Sequence, residues 1–576
     1  MRRPLLLVLV VLAPLMLLSL GHGLPQRYVP DDHSVRCALG IARDLGNPDL
    51  SRLSALVPPS GQYTTYPYLL AYLDLGAVAV VYVGGRLAGA WAGAGAFGEA
   101  VFADATLAWL PARLISVLLA LLLPLAVYRS ARRLGRGRRG AALAALLGGS
   151  SLLLVQGAHV ERPWAPVAAF VAVTLAASLR LRRRRRVRDV VLACLPAGLA
   201  VATHPIGVLA FGLPVLAALV WRLRPAAVVA GLGAGLLVAL LLGYPYLLVY
   251  QQDTGRGAIA GQLEASDVVD IGGQAFALDR FHGQLALRTL RGWFGYEPVL
   301  LVLGLLGLPA LARAARGRGA TLLVVPPLFL AVLFLAYDGT HVRYLLPATA
   351  FLALSAALLV ERLARAGAAG TLAALLLVAL PLLQAARLDV VLGRQDTRSQ
   401  AALELPALLP PGERVAVDGY GPPLVPTAAS VDAIDELVWT TRTETRALDL
   451  AHAGVPEPAA ARDLIPVGRF WKFDSYYPRD YELGEQPKEL SDWMDEWGIR
   501  SYVQTDRLPD PERRRPVTEL TARRGRLVYA LSPATDGGVP REALLPAEML
   551  FPLTELWRTR QPGPLIRCWR IEAPPR

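Results

Sequence analysis

Residues 164–203 read WAPVAAFVAVTLAASLRLRRRRRVRDVVLACLPAGLAVAT, two apolar runs joined by an arginine-rich turn. An apolar helix of roughly 20 residues crosses the hydrocarbon core of a bilayer. Turns rich in arginine stay on the cytoplasmic side of the membrane. The stretch therefore predicts a helical hairpin in a membrane, with both of its free ends on the non-cytoplasmic side.

The same alternation runs through the first two thirds of the chain. Of the 576 residues 54% are hydrophobic and 18% charged, and the mean hydropathy is +0.41, which excludes an ordinary soluble protein. The fold class is therefore mainly α, a polytopic bundle of about eleven transmembrane helices. The predicted spans lie at about 4–20, 107–128, 139–157, 164–181, 189–203, 206–221, 226–250, 297–315, 319–337, 342–361 and 368–386.

Arginine clusters set the predicted orientation of these spans. The clusters are Arg2-Arg3, Arg129 to Arg139, Arg180 to Arg188, Arg222 and Arg224, Arg313 to Arg318, and Arg362 to Arg365. Placing them inside puts the N-terminus in the cytoplasm and the C-terminus outside. A full span at 67–93 would break the alternation, so that stretch is predicted to be re-entrant or juxtamembrane on the outer side. Because the basic residues lie between apolar runs rather than on one surface, the net charge of +13 does not indicate nucleic acid.

The composition changes near residue 388, where long apolar runs stop. Short β-type runs at 414–417, 499–503 and 527–531 alternate with helical stretches such as 487–497, a pattern typical of an α/β layer. The chain is therefore divided into a transmembrane domain, 1–387, whose outer loop covers 21–106, and a soluble extracytoplasmic α/β domain, 388–576.

Two adjacent carboxylates follow the first apolar run. Residues 24–33 read LPQRYVPDDH and place Asp31 and Asp32 where a membrane helix meets water. Acidic residues close to hydrocarbon need a partner and are candidates for function. Either aspartate is equally suited to cap the amphipathic stretch 34–45 by accepting backbone hydrogen bonds. From these residues alone, catalysis and capping remain equal alternatives.

Further polar residues fall in predicted outer loops or at outer helix ends. Spans 189–203 and 206–221 are short, so the turn at His204 is expected below the outer membrane surface, facing a cavity; an ordinary tight turn is the alternative. Arg343 begins a late span, where an arginine that merely reaches lipid headgroups is the alternative to a binding role. The candidates of this kind are His159, Glu161, Arg162, His204, His341 and Arg343.

The order of these features resembles the membrane-integral, lipid-carrier-dependent glycosyltransferases of the GT-C fold, which include protein mannosyltransferases and aminoarabinose transferases (glycosyltransferase family 39-like). The resemblance rests on PDD at 30–32, YPYLL at 66–70, ARL at 112–114 and HVRYLLP at 341–347. It implies a multi-pass protein of the plasma (inner) membrane that takes a polyprenyl-phosphate-linked sugar. The acceptor, whether protein, lipid or glycan, stays open.

One departure from the family concerns the loop around residues 159–164. Many relatives place an aspartate there, whereas this chain has Glu161 and Arg162. The identity of a second acidic contact is therefore in doubt, and a divalent metal is unsupported. No cofactor is assigned.

The chemistry of such a transfer fits the candidate residues. A base must take the proton of the attacking acceptor, a role for Asp31 or Asp32. The departing lipid phosphate calls for cationic or hydrogen-bonding donors, for which Arg343 and His341 come first, then Arg162 and His204. Glu161, His159 and, from the resemblance, Tyr66 complete the predicted substrate-binding set. The predicted enzyme is a hexosyl or pentosyl transferase.

Two other classes compete with an enzyme. A transporter or flippase of a lipid-linked substrate would carry ionisable residues near the bilayer midplane and often related halves, and neither is evident here. A non-catalytic envelope scaffold is the third alternative. A disulfide between Cys37 and Cys568 would require both to lie outside the cytoplasm.

Overall fold

A computed structural model describes most of the chain as two compact units. The first unit comprises residues 1–20, 31–83 and 108–387, and the second comprises 21–30, 84–107 and 388–576. The residues described are 3–26, 32–60, 62–64, 66–250, 268–271, 274–277, 280–315, 317–338, 340–418, 421–425, 427, 430, 462–466, 490–506, 511–538 and 552–573.

The described part of the first unit is almost entirely helical. Its α-helices, together with α5, which belongs to the second unit, are α1 Arg3–Leu17, α2 Asp32–Leu45, α3 Arg52–Leu56, α4 Leu69–Leu87, α5 Ala94–Ala103, α6 Thr106–Ala120, α7 Leu122–Arg133, α8 Arg138–Gly149, α9 Leu152–Ala158, α10 Trp164–Arg180, α11 Val187–Thr203, α12 Gly212–Trp221, α13 Pro225–Gly243, α14 Tyr246–Val249, α15 Ala286–Tyr296, α16 Pro298–Ala315, α17 Thr321–Ala336, α18 Thr349–Ala364 and α19 Ala368–Leu392. Short 3₁₀ helices cover Pro205–Phe211, Gly317–Ala320 and Val342–Ala348. An antiparallel hairpin joins β1 Val268–Ile271 to β2 Gln274–Ala277.

Six helical segments within the described residues are long and apolar enough to cross a membrane, or seven if a bent pair counts as one span. They are Leu69–Leu87, Thr106–Arg133, Pro225–Gly243, Pro298–Ala315, Val342–Ala364 and Ala368–Ala407, with Arg138–Gly149 and Leu152–Ala158 as the bent pair. Further apolar helices, such as Trp164–Arg180, have fewer than 18 residues. The figure of about eleven spans therefore stays a prediction.

The helix Leu69–Leu87 covers most of the stretch 67–93. It is continuous over 19 residues, about 28 Å at 1.5 Å per residue, and is one of the six segments long enough to cross a membrane. Asp74, the acidic residue in this helix, is fully buried, whereas Arg86 in its last turn is exposed. The re-entrant or juxtamembrane placement of residues 67–93 on the outer side stays a prediction.

Glycines let two pairs of long helices pack with their backbones in contact. A Cβ atom on Gly198 of α11 would lie 2.1 Å from the carbonyl oxygen of Gly235 in α13. One on Gly307 of α16 would lie 2.4 Å from the carbonyl oxygen of Ser355 in α18. Small residues at such crossings are typical of membrane helices, whose association depends on close packing rather than on hydrophobic burial.

Three arginine clusters meet at one end of the first unit. Arg136, between α7 and α8, forms an ion pair with Glu361 at the end of α18. Arg133 of α7 donates to the carbonyl oxygen of Ala176, one turn before the end of α10. Arg180 then pairs with Asp189 of α11 at 3.1 Å. The turns predicted to share one membrane side therefore lie together in space.

The second unit contains a five-stranded mixed sheet. Its strands are β3 Arg414–Val417, β4 Asp463–Pro466, β5 Ser501–Asp506, β6 Gly525–Leu531 and β7 Leu565–Ile571, in the order β4-β3-β5-β7-β6. Strand β3 is parallel to β4 and β5, whereas β7 is antiparallel to β5 and β6. Among the described residues after 392, the helices are α20 Thr397–Glu404, α21 Leu490–Glu496, α22 Pro511–Arg524 and α23 Leu553–Arg558, with a 3₁₀ turn at Leu405–Ala407.

Both faces of this sheet bury apolar side chains. Tyr502 on one face packs with Met494 of α21 and Leu520 of α22, and Val503 on the other face packs with Ala401 of α20. Strands β3, β5 and β6 overlap the three β-type runs expected from the sequence. All three cysteines are free and buried, so the structure contains no Cys37–Cys568 disulfide.

Candidate active site

Trp164 lies where the polar loops of the first unit converge, at the end opposite the arginine clusters. It is the first residue of α10 and is 5% exposed. Its ring centroid is 4.4 Å from that of His204 and 4.9 Å from that of Tyr344. Tyr66 lies against the imidazole of His204, with 5.6 Å between ring centroids. The stack thus joins four segments that are distant in the sequence.

His204 is held in this stack in one chemical form. It lies fully buried in the turn between α11 and the 3₁₀ helix Pro205–Phe211, and its Nδ1 accepts the backbone N–H of Ile206 at 3.1 Å. Burial and, as the smaller cause, the positive charge of Arg343 together lower the pKa of His204 to about 3. The neutral ring therefore carries its proton on Nε2, which has no hydrogen-bond partner among the residues described. His204 offers one neutral donor, not a positive charge.

Arg343 supplies positive charge next to the aromatic rings. Its guanidinium carbon lies 4.9 Å from the centroid of Trp164 and 5.4 Å from that of Tyr344, within the range of cation–π contacts. His341 lies 5.4 Å from Tyr344, edge to face. The two residues placed first as phosphate-binding candidates therefore share one aromatic neighbour.

A small cavity adjoins this stack, and Tyr66 belongs to both. Its lining residues are Ser34, Tyr66, Pro67, Leu70, Glu161, Arg162, Pro163 and Thr203. Glu161 is 2% exposed and Arg162 is 8% exposed, so a carboxyl group and a guanidinium are both buried at its wall. The hydroxyl of Ser34 in α2 donates to the carboxylate of Glu161, which fixes α2 against the loop before α10. The cavity therefore combines charged, hydroxyl and aromatic groups.

The acidic pair lies next to this cavity in the sequence. Asp32 is the first residue of α2, two positions before Ser34. Asp31 lies outside the described residues, and so does the side chain of Asp32. Capping of α2 and catalysis thus remain the two alternatives for the pair.

His159 contacts the backbone rather than lining the cavity. Its Nδ1 lies 2.8 Å from the carbonyl oxygen of Val155, and its Nε2 lies 2.7 Å from that of Leu18, beyond the end of α1. The ring therefore joins the loop after α9 to the first helix. This geometry favours a structural contribution from His159.

The structure adds side chains that sequence reasoning did not select. These side chains are Trp164, two positions after Arg162, Tyr344, directly after Arg343, and Ser34, two positions after Asp32. A search for aromatic or hydroxyl residues beside each candidate would have found them. Within the described residues, no group of three or more His, Cys, Asp or Glu side chains is arranged to hold a metal.

Comparison with known families gives one match. Residues 96–248, a little over a quarter of the chain, match the family of dolichyl-phosphate-mannose-protein mannosyltransferases. The matched segment contains Glu161, Arg162, Trp164 and His204. The match confirms, over this segment, the resemblance to membrane glycosyltransferases that the sequence indicated. No curated protein matches the chain.

Several solved structures are similar to the chain. ArnT from Cupriavidus metallidurans bound to undecaprenyl phosphate is 15% identical, with 100% of this chain and 99% of that chain covered and a TM-score of 0.43. AglB from Archaeoglobus fulgidus, in complex with an inhibitory peptide and a dolichol-phosphate, is 12% identical over 97% of this chain and 77% of that chain, with a TM-score of 0.48. The arabinofuranosyltransferase AftD from Mycobacteria is 17% identical, with 100% of this chain and 42% of that chain covered and a TM-score of 0.43.

We predict that His204 stays neutral from pH 8 down to pH 5. Because its pKa is lowered in the folded state, the stability linked to the neutral ring is full above about 6.5, the pKa of a free histidine, and is lost as the pH falls toward 3. Exchange of the imidazole C2 hydrogen, followed by mass spectrometry, measures this pKa. The denatured chain is the control and should titrate near 6.5. A midpoint between 6 and 7 in the folded protein would contradict the prediction.

Proposed function

We propose that the chain is an integral membrane glycosyltransferase that moves a sugar from a polyprenyl-phosphate carrier to an acceptor on the extracytoplasmic side. The observation that carries the proposal is the convergence of Glu161, Arg162, His204 and Arg343 at the end of the helical unit opposite its arginine clusters. The family match over residues 96–248 supports it. The protein lies in the plasma (inner) membrane, and its acceptor is a protein, lipid or glycan of the cell envelope.

Arg343 and Arg162 suit the departing phosphate. As the bond between the anomeric carbon and the phosphate oxygen breaks, negative charge grows on that oxygen. Guanidinium groups donate two parallel hydrogen bonds to phosphate, and these strengthen where water is excluded. Trp164 limits the freedom of the Arg343 side chain, so less conformational entropy is lost on binding. His204 contributes a neutral donor, and His341 and Tyr66 complete the surroundings.

Asp31 or Asp32 is the proposed general base. The acceptor hydroxyl or amine must lose its proton as its oxygen or nitrogen attacks the anomeric carbon. The contact between Ser34 and Glu161 brings the start of α2 to the cavity wall. Glu161, in the loop where many relatives have an aspartate, is the acidic residue at the cavity wall. No metal is assigned to this step.

The loss of the protein gives the most direct test of the reaction class. Cells without the chain should accumulate one polyprenyl-phosphate-linked sugar, whose mass identifies the donor, and an envelope glycan should lack that sugar. A flippase would instead leave the lipid-linked sugar on the cytoplasmic face, inaccessible to an external glycosidase. A scaffold would cause no accumulation.

Replacement of the acidic pair tests the base. We expect Asp31→Asn or Asp32→Asn to lower the transfer rate by about 100-fold or more, because general-base catalysis contributes about 10² to 10⁴. The measurement is the initial rate of sugar transfer in membranes with matched protein levels. Asp49→Asn, in an exposed part of the same outer segment, is the matched control and should transfer normally. Full activity of the double Asp31→Asn, Asp32→Asn variant would exclude this base.

Replacement of Arg343 tests the phosphate contact. Arg343→Ala should weaken binding of undecaprenyl phosphate about 10- to 100-fold, the loss expected for hydrogen bonds to a charged group. Arg343→Lys should recover only part of the affinity, because ammonium does not stack on Trp164 as a planar guanidinium does. Ligand-induced thermal shifts in detergent measure both effects. Arg365→Ala, which removes a side chain 72% exposed near the arginine clusters, is the control. If Arg343→Lys bound undecaprenyl phosphate as tightly as the wild type, the alternative would be favoured in which Arg343 merely reaches the lipid headgroups.

Labelling of introduced cysteines tests the proposed sidedness. The native cysteines are buried, so a membrane-impermeant maleimide should give little background. Ala88→Cys and Ala573→Cys, two exposed positions of the second unit, should react in intact cells. Arg184→Cys, in the exposed arginine turn between α10 and α11, should react only after permeabilisation. Protection of Ala573→Cys in intact cells would contradict an extracytoplasmic C-terminal domain.

A further inference from the structure

The helix that leads to Glu161 and Arg162 is broken. Helices α8 and α9 meet at an angle of 62°, and the break lies at Ser150 and Ser151. A new helix start leaves backbone N–H groups without intrahelical partners. Both serines are buried, so solvent water is not in contact with this start. The break therefore needs polar partners from elsewhere in the fold.

Glu297 supplies those partners. Its carboxylate accepts the hydroxyl of Ser151 and, at 3.0 Å, the backbone N–H of Leu153. Ser151 in turn accepts the N–H of Leu154 at 3.2 Å. Glu297 is 5% exposed, so its hydrogen bonds take the place of those that water makes at an open helix start. The carboxylate thus fastens the first turn of α9.

Glu297 also belongs to a segment that packs against Val342, the residue before Arg343. It lies between α15 and α16, and its own N–H donates to the carbonyl oxygen of Trp293 in α15. In the same helix, a Cβ atom on Gly292 would lie 3.1 Å from the side chain of Val342, next to Arg343. One short helix therefore contacts the Arg343 segment and, through Glu297, the start of α9.

We propose that Glu297 is a positioning residue that fixes α9, and with it Glu161 and Arg162, relative to Arg343. The importance of this alignment for sugar transfer rests on the proposed function. Glu297 contacts Ser151 and Leu153 at the first turn of α9, whereas Glu161 follows the last, so it acts through the helix rather than on substrate. Arg162 and Arg343 lie on separate segments, and they bind one phosphate together only if the distance between those segments stays fixed.

Hydrogen exchange of the apoprotein in detergent tests the positioning without any sugar transfer. Glu297→Ala should speed amide exchange in residues 152–163 by about tenfold or more, because the first turn of α9 loses its acceptor. Glu297→Gln keeps one oxygen acceptor of the same reach and should stay within about threefold of the wild type. Ser151→Ala is the second disruptive variant. It removes the hydroxyl that donates to Glu297 and accepts the N–H of Leu154, so its exchange rates should resemble those of Glu297→Ala.

Glu361→Ala is the matched control, since it removes a largely buried carboxylate at the opposite end of the unit. It should leave exchange in residues 152–163 unchanged. Unchanged exchange in both Glu297→Ala and Ser151→Ala, or an equal rise in Glu361→Ala, would overturn the proposal.

Binding and turnover then separate the two proposals. Glu297→Ala should weaken binding of undecaprenyl phosphate about tenfold and lower kcat, and Glu297→Gln should recover both. A wild-type protein that transfers no sugar, with the exchange differences intact, would refute the proposed function and leave the positioning established. Normal phosphate affinity in a Glu297→Ala variant with a loosened α9 would refute the positioning of the arginines.

Discussion

Trp164 is the contact on which the geometry of the candidate site depends. Its indole lies against His204 from the turn after α11 and against Tyr344 and Arg343 from the segment before α18. An aromatic ring suits this place because it buries a large apolar area while its face attracts a cation. Without the ring, the buried imidazole and the guanidinium would have no common surface. The arrangement of both groups thus follows from the first residue of α10.

A second constraint decides where such a site can form. Apolar helices place their charged groups at their ends, because charges in hydrocarbon are costly. In the first unit, Arg136 and Glu361 pair at one end, and Glu161, Arg162 and Arg343 gather at the other. The separation gives the two ends different chemistry. One end is rich in arginine, and the other combines acids, arginines, a neutral histidine and aromatic rings.

The sequence predicted this separation because arginine clusters and apolar runs are local patterns. His204 and Arg343 were also accessible as candidates, since each is a polar residue at the predicted outer end of an apolar run. Their partners were not, because Trp164 and Tyr344 are brought together by helix packing over nearly 200 residues of sequence. Glu297 marked only the edge of a span. No local pattern indicates the helix break at Ser151, which places the hydroxyl of Ser151 and the N–H of Leu153 against Glu297.

The 3₁₀ geometry of Val342–Ala348 sets the angular spacing of its side chains. Successive residues of a 3₁₀ helix are 120° apart, against 100° in an α-helix, so every third residue lies in one row. His341, at the extended N-cap position, precedes Tyr344 by three residues and lies edge to face with its ring. Arg343 occupies the adjacent row. The position of each residue in this segment thus sets the direction of its side chain. The insertion of a single residue before Arg343 would turn its guanidinium by about 120° around the helix axis.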